Sequence, residues 1–148
     1  MNGLRDYALV LVVEDNPERV ARFREWLGHP QLRLLHVRSG DGALGCLNDR
    51  FDCILLDHDL DEDHPMGSRG TVDGRGVVDR LVQSNVNRRT PIIIHSANPA
   101  GRNEMFQRLK ANGFAVEIRP FAEWTPHFAA ELREELLEEW RVNRPLSR

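Results

Sequence analysis

An open α/β sheet, wound on both faces and built of five parallel strands, is the fold this 148-residue sequence predicts. Three observations lead there. Short apolar runs alternate with helix-period segments along the chain, the pattern of parallel βα units. The first run, residues 7–13, is apolar at nearly every position, as a strand covered on both faces must be. Four of the five runs lead directly into polar residues, as at the carboxyl edge of such a sheet, where ligands bind.

Each element has its own signal. After the run 7–13, Asn16 reads as an N-cap and Pro17 as the first helical residue. Val20, Phe23 and Leu27 share one helical stripe, and Gly28 closes the helix. A second strand fits 31–37, and a short helix over 41–48 turns Ala43, Leu44 and Leu47 inward. The third strand is 51–56, and the third helix, 76–85, presents Val77, Val78, Leu81 and Val82. A strand at 91–94 precedes a helix over 100–112 that stacks Met105 and Leu109 and stops at Gly113. The fifth strand is 115–119, and the last helix, 126–143, buries Phe128, Leu132, Leu136 and Trp140. Strict alternation at 41% apolar content predicts a single domain over 1–148. The stretch 59–75, rich in Gly, Asp and His, is too long for an ordinary connection and is expected to be functional.

Composition narrows the classes. A net charge of −3 gives no whole-chain reason to expect nucleic-acid or membrane binding, and no apolar run is long enough to span a bilayer. Cys46 and Cys53 lack the paired spacing of a zinc site or disulfide framework, which points to a reducing compartment and a cytoplasmic protein. Trp26, Trp124 and Trp140 read as packing residues, with an exposed tryptophan on the last helix as a candidate partner surface.

The polar segments carry the chemistry: Glu14-Asp15-Asn16, Asp57-His58-Asp59-Leu60, His95-Ser96-Ala97-Asn98 and Arg119-Pro120-Phe121. Their order resembles that of the receiver domains of two-component response regulators. Those have an acidic pair after the first strand, an aspartate ending the third, a hydroxyl residue and alanine ending the fourth, and a basic residue before Pro-Phe ending the fifth. The two tetrapeptides, with Asp73-Gly74, Gly101 and Met105, resemble more narrowly the cyclic-phosphate-processing receiver-like family. The resemblance implies a flavodoxin-like strand order 2-1-3-4-5 and a cis candidate at Arg119–Pro120. It also implies Mg²⁺ or Mn²⁺ held by Glu14, Asp15 and Asp57, with Asp59 contributing its carbonyl. Independently, clustered carboxylates raise one another's pKa and are most readily tolerated around a divalent cation. Three features depart from ordinary receivers: Arg119 for the usual lysine, the long loop, and His58 and His95 beside the site positions.

Side chains alternate across a strand, so Asp57 and Ser96 pointing into a crevice would turn His58 and His95 the other way, side by side on one face or curled over the strand ends into a common pocket. Such a pair could divide the proton transfers of phosphate-ester hydrolysis around Asp57, with Arg119, Ser96 and Asn98 holding phosphate oxygens. The alternatives to a catalytic pair are imidazoles that ligate the metal and structural imidazoles bonded to backbone carbonyls. Asp59–Asp63, with Glu62, is a solvated acidic turn or a second metal position; His64 reads as a solvent-exposed loop residue, and His29, His36 and His127 as incidental. The leading expectation is a stand-alone domain that binds a divalent metal and hydrolyses a cyclic phosphate of a nucleotide or RNA end. The alternatives are a signalling receiver phosphorylated on Asp57 by a histidine kinase, and a receiver-like module used only for binding.

Overall fold

The computed structural model describes residues 5–60 and 72–143. Five strands, β1 (Ala8–Val13), β2 (Leu32–Val37), β3 (Cys53–Leu56), β4 (Ile92–Ile94) and β5 (Val116–Ile118), form one parallel sheet in the order β2-β1-β3-β4-β5. The helices are α1 (Pro17–Trp26), α2 (Gly40–Cys46), α3 (Gly74–Gln83), α4 (Pro99–Ala111) and α5 (Pro126–Asn143), with a 3₁₀ turn at Phe121–Glu123. The predicted doubly wound architecture is the observed one. Helix starts follow local chemistry: Asn16 accepts from the Glu18 and Arg19 N–H groups, Asp73 from those of Arg75 and Gly76, and Asn98 from that of Gly101. Asp73 thereby starts α3 two residues earlier than the apolar stripe suggested.

The sheet has two faces with separate cores. Leu11, Val13, Ile54, Leu56, Ile92 and Ile94 pack under α2, α3 and α4, against Ala43, Val77, Leu81, Met105 and Leu109. Val10, Val12, Cys53, Leu55 and Ile93 pack under α1 and α5, against Phe23, Leu27, Leu132, Leu136 and Trp140. Each buried aliphatic side chain of this kind contributes about 1.5–3 kcal/mol relative to exposure. Trp140 is buried, 6% exposed, and donates from Nε1 to the Arg5 carbonyl, so it offers no exposed partner surface. The Arg119–Pro120 bond is trans, as are all peptide bonds of the described residues, which corrects the cis expectation. No described helix is long and apolar enough to cross a membrane.

The register decides where the polar residues land. Val13 pairs with Leu56, Leu56 with Ile94, and Ile94 with Ile118. One step further along, Glu14, Asp57, His95 and Arg119 are therefore cross-strand neighbours on the α1/α5 face. The rim between β1 and β3 is also where the strand order reverses, the place at which doubly wound sheets open a crevice.

Candidate metal and phosphate site

Glu14, Asp57 and His95 converge so closely that one donor atom from each lies within 4.8 Å of the others, and all three are buried. His95 Nε2–H donates to Glu14 Oε1 at 2.8 Å. Glu14 Oε2 accepts from the Asn16 N–H at 2.9 Å, and the His36 Nε2–H caps the Glu14 carbonyl at 2.7 Å. Asp57 Oδ1 accepts from the His58 N–H at 2.8 Å, while Oδ2 faces Arg19 at 3.7 Å. Arg19 also lies 3.4 Å from Glu14.

The two carboxyls are driven in opposite directions. Burial works to raise Glu14, but the His95 hydrogen bond and charge, the Asn16 N–H and Arg19 outweigh it, so its pKa lies below the ordinary value. Burial also raises Asp57; the Glu14 charge adds to that, and His95, the His58 N–H and Arg19 only partly offset it, leaving its pKa above the ordinary value. A carboxyl whose pKa is raised by burial and by a neighbouring carboxylate is one whose ionised form a divalent cation would favour. The donor set thus suits a hard cation on Glu14 and Asp57, with Asp15 buried beside them. His95 fits a different role. A ligating imidazole donates its second N–H to a partner, yet His95 Nδ1 is buried with no hydrogen bond and the ring packs edge-on against Phe23, 5.0 Å between centroids. Its Nε2–H is committed to Glu14.

His58 sits elsewhere. Its alternation parity puts it on the α3/α4 face, where its ring lies against Gly101; a Cβ there would come 2.4 Å from Cδ2. A Cβ at Gly74 would come 2.5 Å from the Asp57 carbonyl oxygen and 2.6 Å from Met105 Sδ. Gly101 thus lets this imidazole pack close to α4, and Gly74 lets α3 approach the Asp57–His58 backbone. Its Nδ1–H donates to Asp59 Oδ1 at 2.8 Å, and the Asn98 side-chain amide nitrogen stands 3.5 Å from the same oxygen. Ser96 shares this parity; its Oγ accepts from the Asn98 N–H at 3.0 Å in the turn that starts α4.

The expected side-by-side histidine pair is therefore corrected. The register sets Asp57, not His58, opposite His95, so the two imidazoles leave the sheet on opposite faces. Arg119 also lies away from the carboxylates: its guanidinium stacks 4.1 Å from the Phe128 ring centroid and pairs with Glu117 at 3.4 Å. The cation at the acidic pair is Arg19, which the sequence reading missed. The available signal was a basic residue in the first turn of α1, where the helix end favours acids, five residues after Glu14. His36 is likewise engaged with the Glu14 backbone and not incidental. Asp59 contributes its exposed side chain to His58, and Glu62, Asp63 and His64 lie outside the described residues.

Comparison with known proteins agrees with this fold. The family model described as "Cyclic-phosphate processing Receiver domain" matches residues 10–111. The fold is similar to the signal receiver domain of a signal transduction histidine kinase from Syntrophus aciditrophicus, with 23% identity, a TM-score of 0.62, and coverage of 95% of this chain and 96% of that one. It is also similar to the receiver domain of sensor histidine kinase PA1611 from Pseudomonas aeruginosa PAO1, solved with a magnesium ion coordinated in its active-site cleft. There the identity is 23%, the TM-score 0.60, and the coverage 91% of this chain and 98% of that one. A third similar structure is the Mn²⁺-bound form of response regulator Rcp1, with 17% identity, a TM-score of 0.64, and coverage of 95% and 99%. These identities carry the fold alone. The curated proteins gave no match.

Proposed function

We propose that this chain, which belongs to the cyclic-phosphate processing receiver domain family, binds Mg²⁺ or Mn²⁺ at Glu14, Asp15 and Asp57 and opens a cyclic phosphate ester by hydrolysis. One observation carries the reading: the His58 backbone N–H holds Asp57 while its ring is held by Asp59, so an oriented imidazole is anchored one residue from the acidic pair. A bound divalent cation would supply charge stabilisation for the phosphate oxygens. With its Nδ1–H on Asp59, His58 keeps its lone pair on Nε2, beside Gly101, and that atom would take a proton from an attacking water. The water oxygen bonds to phosphorus, one ring P–O bond breaks, and the departing alkoxide takes a proton from solvent, giving a phosphate monoester. His95 positions Glu14 and keeps it ionised. Ser96 retains its hydroxyl donor, and Asn98 the amide hydrogen not turned toward Asp59, for phosphate oxygens. A groove of about 510 Å³ between α3 and α4, lined by Asp73, Arg75, Asp79, Glu104, Met105 and Arg108, would give room for a nucleoside or RNA end carrying that phosphate.

The test is turnover of 2′,3′-cyclic AMP in Mn²⁺ by the parent protein and by His58→Ala. Loss of turnover in the variant, with Mn²⁺ affinity retained, is the expected result. No turnover by the parent across divalent metals and cyclic substrates would sink the hydrolytic reading. A second reading, phosphorylation of Asp57 by a histidine kinase, is favoured by Asp57 Oδ2, whose contact with Arg19 is a long one at 3.7 Å. Stable labelling of Asp57 by acetyl phosphate, coupled to a change in association with a partner, would favour it.

A further inference from the structure

We infer that Arg19 is the residue that holds the anionic oxygens of the ligand, and that it does so by leaving Glu14 and Asp57 when these take a divalent cation. The inference rests on the cation-binding part of the reading above. Arg19 stands at the third helical position of α1, where the partial positive charge of the helix end disfavours a cation. What keeps it there is the acidic pair, 3.4 Å from Glu14 and 3.7 Å from Asp57. Both carboxylates are nearly sealed from solvent, while the Arg19 side chain is 33% exposed, so this guanidinium covers them from the solvent side.

A divalent cation on the same carboxylates meets a like charge at contact range, which weakens their hold on Arg19. The cation is held by buried groups, whereas Arg19 rides on a flexible, partly exposed stem. Its guanidinium already lies 5.8 Å over the Phe121 ring, on which it can rest after swinging outward. Released there, it remains at the rim, with a planar donor fork suited to two phosphate oxygens. Arg119, the basic residue just after β5, does not compete for this task, because Phe128 and Glu117 hold it. Arg19 thus gives up the two carboxylates to the cation and becomes the anion clamp.

Two titrations test this. Mn²⁺ binding is followed by water-proton relaxation, and inorganic phosphate binding to the Mg²⁺-loaded protein by calorimetry. Arg19→Gln should tighten Mn²⁺ by about fivefold, the worth of a lost ion pair. The same variant should weaken phosphate by about tenfold or more. Opposite shifts in one variant cannot come from damage to the fold. Arg19→Lys should recover part of the phosphate affinity, and Arg119→Gln should change neither constant. Unaltered Mn²⁺ affinity in Arg19→Gln, or phosphate affinity lost in Arg119→Gln and kept in Arg19→Gln, overturns the inference while leaving the cation site intact. A parent protein that binds no Mn²⁺ overturns both.

Discussion

His95 and His58 follow adjacent strands and donate to carboxylates at the same distance, 2.8 Å, yet their surroundings differ in the one property that separates structure from chemistry. The His95 ring and the Glu14 carboxylate are wholly buried, with an aromatic edge behind the ring. The His58 side chain is 13% exposed and its partner Asp59 is 53% exposed. Breaking the first pair strands a buried carboxylate; breaking the second leaves one in water. His95→Ala is therefore expected to destabilise the protein by about 3–5 kcal/mol, read from urea unfolding. His58→Ala should cost about 1 kcal/mol or less. Equal losses in the two variants would break the comparison.

The glycines around His58 sharpen it. At Gly74 an added methyl meets backbone, the Asp57 carbonyl, which cannot swing aside; at Gly101 it meets a side chain that can. Gly74→Ala is expected to cost about 2–3 kcal/mol, toward the upper end for overpacking, and Gly101→Ala about 1 kcal/mol. Both should impair turnover, because both dislodge the imidazole. A Gly101→Ala variant with full turnover would show that the position of the ring does not matter to the chemistry.

How far could the sequence be read on its own? Period and capping placed the five strands and five helices, because Val-Ile runs and residues such as Asn16 and Asn98 act locally. Glu14, Asp15 and Asp57 were visible because they end strands. What local pattern could not supply was register. Pairing of Leu56 with Ile94 fixes which residue faces His95, and shifting it by a single residue would have set His58 there instead. Arg19 was hidden for a related reason: its meaning depends on two carboxylates, one of them brought from β3. The outward turn of Arg119 depends on Phe128, which arrives from α5.

The third contrast lies within the acidic pair. Glu14, with its pKa lowered, contributes stability that is present above its ordinary pKa and is lost as pH falls through the lowered one. Asp57, with its pKa raised, does the reverse: between its ordinary and raised values the folded state binds the extra proton, so the metal-free protein gains stability as pH falls through that window. Asp57→Asn should accordingly stabilise the metal-free protein by about 1 kcal/mol near neutral pH, a rise in Tm of about 2–4 °C at this chain length. It should also abolish the stabilisation that Mg²⁺ gives the parent. Thermal melts with and without Mg²⁺, at neutral and acid pH, check both; a destabilised Asp57→Asn would mean that the carboxylate is already compensated without a cation.

The smallest effect is expected at Arg119, and it closes the comparison between the two arginines. Its guanidinium rests on Phe128 and pairs with an exposed Glu117, contacts worth about 0.5–1 kcal/mol together. Arg119→Ala should lower stability by about that amount, equally in the presence and absence of Mg²⁺, because nothing it touches belongs to the acidic pair. Arg19→Ala should instead respond to the metal: destabilising without Mg²⁺, where it removes the counter-charge of two buried carboxylates, and nearly neutral with it. If the Arg119 variant were the one whose stability depended on Mg²⁺, the basic residue just after β5 would reach the cluster in solution, and the outward rotamer on Phe128 would not describe the working state.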